Sequence, residues 1–209
     1  MERREKVFDL ACPSCKHEFK KDLPTAIFAK ENDEDILDFA RITCPSCGED
    51  FLLNYRFAYT DEINEFMIVN DPAFVDRKAR LAFSTSLNLI DKFRKDELYR
   101  HELRVTYDYE TLLEKIKIFE RGLNDKVVEL MKYFLIMSED FAYGPEQIAD
   151  FRYGEDNKFY LKTVLNVSLS MDFSDVLYDT IINNYEEALK KDRTLLIDKA
   201  WAEDFLSKN

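Results

Sequence analysis

The sequence predicts an α+β protein. An N-terminal four-cysteine β-ribbon occupies residues 1–70, and a mixed α/β region with an αα corner and a C-terminal β-hairpin plus helices occupies 71–209. Three observations predict this. Two Cys-Pro-Ser-Cys repeats, at 12–15 and 44–47, sit beside short apolar runs of strand character. Residues 103–137 carry an apolar period near 3.6, broken at Gly122. Residues 148–171 return to a period of two, and 174–206 to helical spacing.

The first element to justify is the ribbon. Cys12, Cys15, Cys44 and Cys47 form C-x2-C, a gap of 28 residues (16–43), and C-x2-C. Two such pairs are the sequence form of a tetrahedral four-cysteine zinc ribbon, although the gap exceeds the usual spacing of about 15–20 residues. The pairs are copies of one another: CPSCKHEF at 12–19 and CPSCGEDF at 44–51. Each must reverse the chain tightly enough for two thiolates to face one ion. Pro13 and Pro45 preset φ for that turn. Gly48 supplies a positive φ without strain, whereas Lys16 holds the same place in the first copy. The first knuckle is therefore expected to be strained or differently shaped. Val7–Leu10 and Ala40–Thr43 lead in as strands, and Phe19 and Phe51 cover the exits. One structural Zn2+ is the expected cofactor, with iron in a rubredoxin-like site as the minor alternative. CPSC is also a thiol-redox sequence, but redox pairs open a helix after a strand. Here polar, strand-like residues follow both pairs, so redox or other enzyme chemistry stays the alternative.

Between the pairs, Glu31–Asp35 is an acidic stretch without the ligand spacing of a calcium loop. Phe51, Leu53, Tyr55, Phe57 and Tyr59 alternate with Asn54 and Arg56, which predicts one half-buried strand over 51–59. Asp61-Glu62 turns it into a return strand, Glu65–Val69, and Asp71-Pro72 ends the ribbon unit. Residues 73–100 are helical in part. Leu103–Tyr107 is a strand. Asp108 caps a helix with the stripe Leu112, Leu113, Ile116, Phe119, Gly122 closes it, and Asn124 caps a second. Farther on, strands 148–153 and 159–171 flank a hairpin loop at 154–157. Ser174 caps a helix carrying Leu177, Ile181, Tyr185 and Leu189 at four-residue steps, and 195–206 is a final helix with the only tryptophan, Trp201.

The paired knuckles together with LRVTYDYETLLEKIKIFERGLNDKVVELMK at 103–132 resemble the CpXC domain family of bacteria and archaea. Glu114, Lys115, Ile116, Phe119, Gly122, Leu123, Asp125, Glu129, Leu130 and Lys132 fill its downstream pattern, and the likeness runs over about residues 5–137. The resemblance implies a zinc-ribbon-containing domain and brings no activity with it.

Charge and composition bound the rest. Thirty basic residues against 42 acidic give −12, and residues 1–59 are themselves −3. The basic cluster noted is Lys20-Lys21, so nucleic acid is an unfavoured partner. The longest uncharged run, Leu81–Ile90, is too short for a bilayer span. The N-terminus has no apolar signal core, which makes the cytoplasm the expected compartment. Four glycines, none in a phosphate-loop spacing, and two histidines, His17 and His101, leave no catalytic constellation. Both histidines are expected at the surface. No catalytic residue is assigned. The expected role is a non-enzymatic interaction module that binds another protein or a second copy. Tyr55, Tyr59, Tyr107, Tyr109, Tyr153 and Tyr160 are candidates to line its surface.

Overall fold

The computed structural model describes residues 4–29, 36–93 and 101–209. It divides into two compact units, Met1–Leu112 and Leu113–Asn209. The boundary expected near residue 70 falls inside the first.

In the first unit, β1 (Glu5–Ala11) and β2 (Glu18–Pro24) form an antiparallel hairpin around the first CPSC turn. β3 (Ala26–Phe28) and a short helix α1 (Ile36–Ala40) follow. The acidic stretch 31–35 lies outside the described residues. β4 (Arg41–Thr43) and β5 (Asp50–Leu52) make a second hairpin around the second CPSC turn. β6 (Phe57–Asp61) and β7 (Phe66–Asn70) are antiparallel. α2 (Arg77–Phe93) and β8 (Glu102–Thr106) complete the unit, and the remainder of the 73–100 expectation lies outside the described residues.

A four-stranded sheet in the order β3-β6-β7-β8 is the platform. β8 joins β7 in parallel register, Val69 beside Val105 and Asn70 beside Thr106. This is why the unit does not end near Asn70. Tyr55, Phe57, Tyr59, Phe66, Ile68 and Val105 are buried on or beside the sheet. Asn70 is wholly buried. Its Nδ2 donates to Asn54 Oδ1 (2.9 Å) and to the Tyr55 carbonyl (3.0 Å), and its Oδ1 accepts from Thr106 Oγ1 (3.2 Å).

The single strand expected over 51–59 is two. β5 belongs to the knuckle hairpin and β6 to the four-stranded sheet, with residues 53–56 crossing between them. The alternation is real, but it satisfies two different sheets, and periodicity cannot mark where one hands over to the next.

The second unit packs helices on a three-stranded sheet. α3 (Tyr109–Glu120) spans the division, and α4 (Asp125–Met137) follows it. The expected caps are present: Thr111 N donates to Asp108 Oδ1 (2.7 Å) and Lys126 N to Asn124 Oδ1 (3.0 Å). Gly122 turns between them at φ +66°. β9 (Ile148–Tyr153), β10 (Lys158–Thr163) and β11 (Ser168–Asp172) form an antiparallel meander, β11-β10-β9. The strand expected over 159–171 is thus interrupted: Asn166 takes φ +61° and the chain reverses at 164–167. α5 (Asp175–Lys191) is capped by Ser174, and α6 (Lys199–Lys208) by Asp198, which places the last helix four residues later than its apolar run suggested. α4 lies at the centre, against α5, α6 and β9. Val127, Val128, Leu130 and Met131 are fully buried there with Phe159, Ile197 and Trp201.

Candidate metal centre

Each CPSC pair lies in a turn between antiparallel strands, and the two turns are superimposable in their bonding. In the first, Lys16 N donates to Cys12 O (3.0 Å) and Cys12 N to His17 O (3.0 Å). In the second, Gly48 N donates to Cys44 O (3.0 Å) and Cys44 N to Glu49 O (2.8 Å). Gly48 sits at φ +76° and Lys16 at φ +61°. The first knuckle therefore has the same shape as the second and carries the strain that a side chain incurs there.

The gap of 16–43 brings the two turns face to face. The Cys12 and Cys47 sulfurs are 3.7 Å apart, as are those of Cys15 and Cys44. All four lie within 4.8 Å of one another, the one such group of possible metal ligands among the described residues. A tetrahedral ion with metal–sulfur bonds of about 2.3 Å requires sulfurs about 3.8 Å apart, so the donors fit a small four-coordinate divalent ion. The arrangement has a local two-fold character. The leading cysteines, Cys12 and Cys44, are buried, and the trailing ones, Cys15 and Cys47, are exposed.

The thiols are not equivalent. Burial raises Cys44, but backbone donors from Cys47 and Ser46 and the Cys47 and Cys12 thiols outweigh it and bring it down to about 6. Cys47 is helped by the Glu49 backbone, yet the neighbouring sulfur of Cys15, together with burial, drives it up to about 12. A divalent cation placed among the sulfurs would favour their charged forms.

Other residues singled out in the sequence fall elsewhere. His17 is exposed and its ring lies along Phe19, with centroids 6.2 Å apart. His101 is half-buried, which corrects its expected place at the surface. Phe19 and Phe51 are half-buried beside the knuckles. Tyr55, Tyr59, Tyr109 and Tyr153 are buried and pack on one another's neighbours, as Tyr55 does on Phe8 and Phe57 and Tyr153 on Phe159 and Phe173. Of the six tyrosines proposed as a surface, Tyr107 is half-buried and Tyr160 alone is exposed. Four of the six therefore belong to the core.

Two features escaped the sequence reading. Arg77, Lys78 and Arg80 open α2, a stronger basic cluster than Lys20-Lys21. The second is a buried charged group on α3 and α4. Lys132 Nζ meets Glu114 Oε1 at 3.0 Å and Glu129 Oε2 at 2.7 Å, and Lys115 Nζ meets Asp125 Oδ2 at 3.0 Å. Glu114 Oε1 also accepts from Tyr153 N (2.8 Å). The five side chains are each less than a tenth exposed. Lys126 on α4 is likewise buried, against Asp192.

A family model described as CpXC protein matches residues 5–132. No curated protein and no solved structure matches the chain at a significant level. Among the described residues no helix is long and apolar enough to cross a membrane.

Proposed function

The chain belongs to the CpXC family, and from that premise we propose that it is a non-enzymatic zinc protein. Cys12, Cys15, Cys44 and Cys47 hold one structural Zn2+, and the ribbon so fixed supports an interaction module whose partner is another protein or a second copy. One observation carries the reading: four sulfurs within 4.8 Å of one another, with the Cys12 and Cys47 pair and the Cys15 and Cys44 pair each at 3.7 Å, close to the separation a tetrahedral ion requires. Such a set fills the coordination shell of zinc and leaves no position for substrate, so its binding energy goes into folding. The thiol-redox alternative loses ground because neither pair stands at the start of a helix, where a thiolate would gain its reactivity. The cytoplasm is the proposed setting, since four thiolates must stay reduced.

Metal analysis of protein purified under reducing conditions tests this. One zinc per chain is expected, lost in Cys44→Ser. The four thiols should react slowly with a disulfide reagent and speed up together once a chelator removes the metal. Iron in place of zinc, or metal-free folded protein with one fast thiol, would overturn the proposal.

A further inference from the structure

The sheet of the second unit ends in a strand, β11, whose outer edge pairs with no other strand among the described residues. β11 pairs only with β10 among the described residues, and Ser168, Leu169, Ser170 and Asp172 are exposed. Free strand edges template other strands, and sheets ordinarily blunt them with charge, proline or a bulge. Here the turn and strand from Thr163 to Asp172 contain no proline or glycine, and their one charge is Asp172 at the strand's last position. The corner is also apolar. Tyr160, Val164, Leu165, Val167, Leu169 and Val176 are 40–81% exposed, and they are six of the twelve large hydrophobic side chains left exposed among the described residues. Leu169 stands on β11 itself, and Val164, Leu165 and Val167 lie in the turn that leads into it.

The register selects the occupant. Thr163 N donates to Val167 O (2.9 Å) and Phe173 N to Asn157 O (3.0 Å). In an antiparallel ladder the bonded pairs alternate. Val167, Leu169, Met171 and Phe173 therefore turn their backbone groups to β10, and Ser168, Ser170 and Asp172 turn theirs outward. A second β11 laid antiparallel about a two-fold axis at Ser170 sets Ser170 against its own copy and Ser168 against Asp172 on either side. All three are hydrogen-bonded positions, so every outward N–H finds a carbonyl. No carboxylate faces another across the seam, which matters between two chains of −12 each. Leu169 falls opposite Met171 on the face that carries Phe159 and Leu161, so the apolar row of one sheet continues into the next.

We propose that two copies of this chain pair through β11 into one six-stranded antiparallel sheet, a closed two-fold dimer. This rests on the interaction reading above and is independent of the metal. Sedimentation equilibrium of the full chain, purified with zinc, should give the mass of two copies, falling toward one on dilution. Ser170→Pro removes an outward N–H and leaves the β10 ladder untouched. It should halve the mass at the same concentration, with circular dichroism and zinc content unchanged. Hydrogen exchange on the unsubstituted protein gives a reading that does not depend on the variant: the Ser168, Ser170 and Asp172 amides should slow as the dimer forms. A two-copy species in which these amides exchange freely, or which survives Ser170→Pro, overturns the pairing. So does a single-copy mass at every concentration, which would leave the interaction role to a different protein.

Discussion

At Lys16 and Gly48 the same backbone turn is built from two different residues, and the difference is a direct measure of strain. Both occupy the left-handed region, at φ +61° and +76°. A Cβ added at Gly48 meets nothing within 4 Å, so its cost is backbone cost alone. Gly48→Ala should lower the stability of the zinc-loaded protein by about 1 kcal/mol, the penalty of an L-residue in that region. Lys16→Gly should raise it by up to about 1 kcal/mol, less the exposed bond from Lys16 Nζ to Pro13 O at 2.7 Å. Denaturant titrations of the two variants decide the matter, and opposite signs would remove strain as the difference between the knuckles. The repeat itself was legible because CPSC with a following turn residue is a local device. Whether Lys16 accepted the strain or reshaped the turn was not, since the answer depends on the partner knuckle 28 residues away.

At the scale of elements, α3 and α4 were readable where their causes are local. Asp108, Gly122 and Asn124 act within three residues of themselves, and each does what its type predicts. Strands 51–59 and 159–171 were not readable as pairs, because the breaks at 53–56 and 164–167 are decided by which sheet takes each half. The buried charges on the two helices were hidden for a related reason. On a single helix Glu129 and Lys132 look like a solvated pair, and only the surrounding α5, α6 and β9 enclose α4. Burial pushes Glu129 above its ordinary value of 4.5, more than Lys132 and Lys115 pull it down, with Glu114 adding to the rise. Lys132 is itself raised: burial opposes its charge, but Glu114 and Glu129 outweigh it. Asp125 is occupied by Lys115. The proton is therefore held better at Glu129 in the folded state than in the unfolded chain. Stability from this group is fully present below pH 4.5 and is lost as pH rises toward the raised value, by at most about 1.4 kcal/mol per pH unit. Glu129→Gln keeps the shape and has no proton to lose. Unfolding free energies measured against pH should show the decline in the unsubstituted protein and a flatter curve in the variant. Parallel curves would place the proton elsewhere.

Over the whole molecule, the proposed metal site and the core around α4 belong to different parts of the chain. The first unit, Met1–Leu112, contains all four cysteines, and its second knuckle hairpin is small, with β4 and β5 of three residues each. Elements that short do not bury enough apolar surface to hold themselves, and the proposed ion would supply the difference. Structural zinc sites contribute on the order of 10 kcal/mol of folding free energy. The second unit has its own core, from Ile118 to Phe205, and no member of that core comes from the first unit. It contains the sole tryptophan, Trp201, 6% exposed, with Nε1 donating to Asp192 Oδ2 at 3.2 Å. Chelation should therefore unfold the ribbon, exposing four reactive thiols and losing β signal, while Trp201 emission stays where it was. Denaturant should then shift Trp201 in a separate transition at the same midpoint with or without zinc. If Trp201 emission moved in step with metal loss, the two units would be one cooperative body, and the ion would be stabilising the helical core as well as the ribbon.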